Sequence, residues 1–181
     1  VGVALAYIAP NCIDEPTIDK NVAMIINAMD NAGRTNPDII VLSEAMYERG
    51  VSGVSLKETS QTDTGEMCTL MRQKAIEYNS YIIYNFHEYD CGEYYNTSIL
   101  IDRNGETVGK YRKTQLTVVE YDEGMTPGTE MPVFETDFGR IGILICFDHY
   151  FPHTTEILAE KGAEIIFISS AGDAEEKLSA R

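Results

Sequence analysis

Short apolar runs alternate along the chain with stretches whose apolar residues recur at helical spacing. The apolar runs, which predict buried strands, are Val3–Ala9, Asp38–Leu42, Tyr81–Phe86, Ile141–Cys146 and Glu164–Ser169. The helical stretches run from Pro16 to Gly33, over Gly65–Asn79 and over Pro152–Lys161, and a last helix is predicted from Ala174. Residues 45–64 are polar and are predicted to form a loop.

Tight turns join further pairs of strand-like runs. An Asn-Gly pair, the strongest short hairpin signal, lies between Tyr94–Ile101 and Glu106–Lys113. An Asp-Phe-Gly turn lies between Val133–Thr136 and Arg140–Cys146. The strand, helix and strand that follow this turn predict a right-handed parallel crossover. We therefore predict a single α/β domain over residues 1–181, with helices packed on a mixed sheet.

The charge, the apolar runs and the cysteine spacing of the chain disfavour several classes of function. The 181 residues include 14 Lys+Arg against 29 Asp+Glu, a net charge of −15, which disfavours nucleic acid and anionic membranes as partners. No apolar run approaches the roughly 18 residues of a membrane helix. The four cysteines are widely spaced with no CxxC pair, which favours free thiols in the cytoplasm over a zinc site or disulfides. Predicted elements are interrupted at both ends, so we expect a fragment that lacks its C-terminal part.

Three chemically useful side chains follow predicted strands, where ligands of α/β sheets bind. They are Glu44, Lys113 and Cys146. Strand alternation puts Lys113 on one face and Lys110 on the other. A carboxylate, an amine and a thiol at one sheet edge make a workable nucleophilic site. The competing interpretation is structural, because a Cys that ends a buried strand is usually an inert apolar residue.

Three blocks around these residues resemble the carbon–nitrogen hydrolase (nitrilase) superfamily, amidase-like branch. They read DIIVLSE at 38–44, GKYRKTQL at 109–116 and RIGILICFDHYFP at 140–152. The resemblance implies an α-β-β-α sandwich, here incomplete at its C-terminus, and a catalytic triad of Glu44, Lys113 and Cys146. The EGMTPG stretch resembles the place of a second active-site glutamate, which implies a supporting role for Glu123, with Glu120 as the competing choice. Gln115 and His153 depart from the family pattern and leave substrate preference open.

The same resemblance implies a reaction that needs no cofactor or metal. Glu44 takes the proton of Cys146 as the sulfur attacks the carbonyl carbon of a small amide, because a free thiol is mostly protonated at neutral pH. Lys113 and the backbone N–H of Phe147 stabilise the oxyanion, and His149 touches the substrate. Water then hydrolyses the thioester. Family members typically associate, so we also expect a homo-oligomer.

Several alternatives stay open at this point. The acyl group could pass from Cys146 to an amine, as in an N-acyltransferase, or the substrate could be a nitrile or carbamoyl compound. A thiol hydrolase of the Cys-His type would use His149 or His87 instead of Lys113. The chain could also be an inactive truncated fragment.

Overall fold

The computed structural model describes residues 1–6 and 14–171 as alternating strands and helices. The strands are β1 (Val3–Ala6), β2 (Ile39–Leu42), β3 (Tyr81–Asp90), β4 (Glu93–Ile101), β5 (Thr107–Arg112), β6 (Val133–Thr136), β7 (Gly139–Ile145) and β8 (Ile165–Ser169). The helices are α1 (Ile18–Gly33), α2 (Leu56–Thr59), α3 (Glu66–Tyr78), α4 (Val118–Asp122) and α5 (Pro152–Glu160). A 3-10 turn, Cys146–Tyr150, separates β7 from α5.

The strands form two mixed sheets. The first has the order β1-β2-β3-β4-β5, with β1, β2 and β3 parallel and the β3-β4-β5 hairpins antiparallel. The second has the order β6-β7-β8, with β6 antiparallel and β8 parallel to β7. Both predicted hairpins and the parallel pairing of β7 with β8 through α5 are therefore confirmed.

Side-chain alternation along the strands divides the core into two layers. In β2, Ile40 and Leu42 pack with Ile25 and Met29 of α1, whereas Ile39 and Val41 belong to a second cluster. That second cluster includes residues of both sheets and continues through the second sheet to Leu158 of α5. On the far side of the second sheet, Leu158 of α5 lies where a side chain on Gly142 would be. The order helix, sheet, sheet, helix is the α-β-β-α sandwich that the resemblance implied.

The structure corrects several predicted boundaries. Strand β3 continues past Phe86 to Asp90 and pairs with β4 through a turn at Cys91 and Gly92, where both residues have positive φ (52° and 95°). The sequence did not indicate this hairpin, because its polar end does not look like a strand. The predicted loop contains the short helix α2, closed by a capping box between Ser55 and Glu58.

Some expectations fall outside the part of the chain that the structure describes. They are the end of the first predicted strand, the thiol of Cys12 and the helix predicted from Ala174. Within the described residues, no helix is long and apolar enough to cross a membrane.

Candidate active site

The three predicted side chains approach one another where β2, β5 and β7 end. The Lys113 Nζ lies 3.0 Å from Glu44 Oε1, and both residues are buried, with 2% and 6% of their surface exposed. The thiol of Cys146 is hydrogen-bonded to Glu44 and feels the charge of Lys113. Residues far apart in the sequence are thus brought into one cluster of carboxylate, ammonium and thiol.

Lys110 lies within β5 and Lys113 directly follows it, and their side chains have separate environments, as the predicted strand alternation requires. Lys113 points to the space between the sheets, where its neighbour Tyr111 also lies. Lys110 points to the opposite face and pairs with the buried Glu88, which also binds Arg112 at 2.8 Å. Lys110 is therefore remote from the cluster and serves a structural ion pair.

The second glutamate beside Lys113 is Glu120, whereas Glu123 is exposed at the end of α4. Glu120 Oε1 and Oε2 lie 2.8 and 3.0 Å from Lys113 Nζ. Glu120 also closes a capping box, in which its Oε2 accepts the N–H of Thr117 at 2.7 Å. The structure thus places Glu120, the competing choice, and not Glu123 beside Lys113, because the first turn of α4 faces the cluster and its end faces solvent.

Lys113 and Glu120 favour each other's ionised forms. Burial alone would lower the pKa of Lys113, but the adjacent carboxylates of Glu44 and Glu120 raise it, so the amine stays cationic. Burial would raise the pKa of Glu120, yet the charge of Lys113 and several hydrogen-bond donors lower it. A permanent cation between two carboxylates is the central electrostatic feature of the site.

Cys146 occupies a strained backbone position at the start of the 3-10 turn. Its φ of 41° lies in the left-handed region, which costs a residue with a side chain about 1–3 kcal/mol and is held only by its surroundings. Burial, followed by the negative charge of Glu44, raises the pKa of the thiol, while Ser170 and Lys113 lower it. Cys146 is therefore a thiol at rest, with the carboxylate of Glu44 as a hydrogen-bond partner.

Asp148 fixes this turn to the end of β5. Its fully buried carboxylate accepts the backbone N–H of Ile145 at 2.9 Å, the hydroxyl of Tyr111 at 2.7 Å and the backbone N–H of Gln115 at 2.9 Å. Burial nevertheless raises the pKa of Asp148. One carboxylate thus joins the segment that carries Cys146 to the segment that carries Lys113.

The histidines do not supply a base for Cys146. His149 is exposed, and its Nδ1 contacts the backbone carbonyl oxygen of Cys146 instead of the thiol. His87 Nδ1 lies 2.9 Å from Glu48 Oε1; burial alone would lower its pKa, but the charge of Glu48 raises it. These positions of His149 and His87 disfavour the Cys-His alternative.

The ring of Phe147, the residue after Cys146, packs against its neighbours Tyr150 and Phe151.

Asn96 is a site residue that sequence reasoning missed. Its Nδ2 donates to Glu44 Oε1 at 2.9 Å and to Glu120 Oε1 at 2.7 Å. Asn96 is 2% exposed on β4. A signal was present, since an asparagine within a predicted buried strand must find hydrogen-bond partners. The capping-box pattern from Thr117 to Glu120 was likewise a signal for the second carboxylate.

Residues 3–180 match the carbon–nitrogen hydrolase family, and the chain belongs to that family. A probable nitrilase from Schizosaccharomyces pombe is 30% identical over 177 residues, which are 93% of this chain and 63% of the relative. A citrullinase from Francisella tularensis is 32% identical over 177 residues, which are 94% of this chain and 61% of the relative.

Solved structures agree on the fold. An amidase from Nesterenkonia sp. superposes with a TM-score of 0.77 at 21% identity, over 95% of this chain and 66% of the amidase. The chain spans less than two thirds of the length of the curated relatives described above.

Among the described residues, no group of three His, Cys, Asp or Glu side chains is arranged to hold a metal ion.

Proposed function

We propose that this chain carries the active site of a hydrolase that cleaves the carbon–nitrogen bond of a small linear amide through a thioester on Cys146. The observation that carries the proposal is the cation of Lys113, held between Glu44 and Glu120 beside a protonated thiol. A thiol next to a carboxylate base and a buried cation can both attack a carbonyl carbon and stabilise the oxyanion that results.

The two oxygens of Glu44 are suited to different tasks. Oε1 already accepts hydrogen bonds from Lys113 at 3.0 Å and from Asn96 at 2.9 Å. Oε2 accepts the backbone N–H of Ala171 at 3.1 Å and has no contact with Lys113 or Asn96 among the hydrogen bonds of the described residues. We therefore assign proton transfer to Oε2, because protonation there leaves the bonds that orient Oε1 in place.

Acylation then proceeds in balanced steps. Glu44 takes the thiol proton while the sulfur of Cys146 forms a bond to the amide carbon, and the negative charge moves to the carbonyl oxygen. Lys113 and the backbone N–H of Phe147 bind that oxyanion. As the tetrahedral intermediate collapses, the C–N bond breaks and Glu44 gives its proton to the leaving nitrogen.

Deacylation repeats the same proton movement with water. Glu44 takes a proton from a water molecule that attacks the thioester, and the C–S bond breaks. The proton returns to the sulfur of Cys146, and the product leaves as a carboxylic acid. Glu120 keeps its bonds to Lys113 throughout, since its donors already occupy both oxygens. Its role is to hold the lysine in position.

The relatives carry the names of more than one kind of hydrolase. The relatives named above are a probable nitrilase, a citrullinase and an amidase, which act on different kinds of carbon–nitrogen bond. We favour a linear amide because the amidase-like EGMTPG segment leads into the loop beside the site, where the N–H of Gly128 donates to the carbonyl of Lys113 at 2.8 Å. N-acyl transfer and nitrile hydrolysis are the alternatives. Homo-oligomer formation and a cytoplasmic location stay predictions, the former checked by light scattering.

A substrate panel on the whole protein tests the proposal. Ammonia release is measured from linear amides, carbamoyl compounds and nitriles, with the variants Cys146→Ala and Cys91→Ala compared in parallel. We expect amide turnover that is lost in Cys146→Ala and kept in Cys91→Ala, whose thiol is exposed. A slow amide should add an acyl mass to the peptide that contains Cys146. Turnover that survives Cys146→Ala, or an adduct on another cysteine, would refute the mechanism.

A further inference from the structure

Two asparagines on neighbouring strands form a chain of hydrogen bonds that ends on the catalytic carboxylates. The backbone N–H of Ala45, the residue after Glu44, donates to Asn85 Oδ1 at 2.8 Å. Asn85 Nδ2 donates to Asn96 Oδ1 at 2.8 Å, and both asparagines are almost fully buried. The Nδ2 of Asn96 then donates to Glu44 and Glu120.

The direction of every bond in this chain follows from its first member. A backbone N–H can only donate, so the atom of Asn85 that faces Ala45 must be its oxygen. The amide nitrogen of Asn85 consequently faces Asn96, and the atom of Asn96 that it meets must be an oxygen. Asn96 is left with its amide nitrogen toward the site, where it supplies both hydrogens to carboxylates.

The opposite orientation of Asn96 would reverse the electrostatics of the site. Its carbonyl oxygen would face two carboxylates across the present distances of 2.9 and 2.7 Å. Glu44 and Glu120 would lose a donor and gain a repulsive dipole, and Lys113 would be the donor left between them. An amide flip of this kind preserves the shape of the core while it changes the bonds that orient Glu44.

We propose that Asn85 and Asn96 are positioning residues that hold Glu44 for proton transfer and Glu120 against Lys113, with Asn85 setting the orientation of the Asn96 amide. This inference rests on the proposed function of Glu44 as the base. It assigns a role in the reaction to Asn85, which touches neither carboxylate in the contacts of the described residues and acts through Asn96.

The variant Asn85→Asp tests the orientation directly, because it replaces the NH₂ by an oxygen of nearly the same size. When the new carboxyl group is ionised, it can only accept and must turn the Asn96 amide around. When it is protonated, its O–H can donate to Asn96 Oδ1 as the native amide does. We expect kcat/KM to fall about 10-fold to 100-fold at about pH 8, the range that one hydrogen bond to a charged group is worth.

The pH dependence separates positioning from simple damage to the core. We expect the ratio of variant to wild-type kcat/KM to rise as the pH is lowered from about 9 to about 6, since protonation restores the donor. The variant Asn96→Asp should show a ratio that changes in the same direction, and it carries the test if Asn85→Asp does not fold. A loss that is equal at all pH values in the folded variants, or no loss, would overturn the inference.

Ser98→Ala is the matched control. Ser98 is buried on the same strand as Asn96, and its hydroxyl meets Asn85 Nδ2 at 3.3 Å without fixing either amide. The other charged groups near the chain are Lys113 and the pair of His87 with Glu48, which lies across the strands from Asn96. They are unchanged in the control, which should keep wild-type rates and pH profile. If Cys146→Ala or Glu44→Gln keeps full activity, the proposed function fails, which is a separate result.

Discussion

Replacing Glu120 by glutamine changes one atom at the site and leaves no good orientation for the new side chain. Lys113 and Asn96 donate to Oε1, while Lys113 and the N–H and hydroxyl of Thr117 donate to Oε2. Whichever way the amide of Glu120→Gln turns, its NH₂ group faces a donor. The variant also leaves the buried amine of Lys113 with a single carboxylate partner.

The size of the effect follows from these contacts. Loss of one partner of a buried ion pair costs about 3–5 kcal/mol. Because Lys113 keeps its 3.0 Å contact with Glu44, we expect the lower part of this range, about 3–4 kcal/mol of unfolding free energy. Displacement of Lys113 from the oxyanion should lower kcat by about 100-fold or more.

The pH dependence of the stability provides a second test of this prediction. The pKa of Glu120 is lowered in the folded protein, so the stabilisation it provides is present at pH values above its ordinary pKa of 4.5. It is lost as the pH falls through the lowered pKa. The difference in stability between wild type and Glu120→Gln should therefore be full at neutral pH and narrow below pH 4.5.

Glu123→Gln is the matched control, on the same segment but exposed to solvent. Urea unfolding and amide hydrolysis are measured for both variants. We expect Glu123→Gln to match wild type within about 0.5 kcal/mol. The reasoning would be refuted if Glu123→Gln abolished turnover while Glu120→Gln kept both its rate and its stability.

Further predictions concern the two lysines and the thiol. Lys113→Met should lower kcat by at least about 100-fold. Lys110→Met should keep kcat but lose about 1–2 kcal/mol of unfolding free energy, because the buried Glu88 loses one of its two cations. Rates and urea unfolding of both variants check this prediction, and an inactive Lys110→Met would contradict it. Alkylation of Cys146 by iodoacetamide should accelerate only at alkaline pH, because burial and the charge of Glu44 raise the pKa of its thiol. In Glu44→Gln that acceleration should move to lower pH while turnover is lost, and an unchanged alkylation profile would show that Glu44 does not act on the thiol.

The features that sequence predicts well are those decided by near neighbours. Alternation within KYRK separates Lys113 from Lys110, because successive side chains of a strand point to opposite faces. The hairpin at Asn104 and Gly105 and the crossover through α5 follow from local turn and capping residues in the same way. These features need no knowledge of what lies across the sheet.

The features that sequence predicts poorly depend on partners far along the chain. Strand β3 extends through Glu88 because Lys110 and Arg112 neutralise that carboxylate, and their positions are set by a different strand. Helix α4 has only five residues, too few for periodicity to show which glutamate faces inward. Asn96 has a role only because Glu44 and Glu120 meet its side chain in the folded protein.

The charges on the outer face of the first sheet have a consequence for the site on its inner face. Glu88 binds Lys110 and Arg112 of β5 across β4, and this arrangement is satisfied in only one register of the three strands. A slip of β5 by one residue would turn both cations into the apolar layer between the sheets and Lys113 out of it. The structural ion pairs therefore specify the register on which the position of Lys113, and with it the proposed role of Lys113 at the oxyanion, depends.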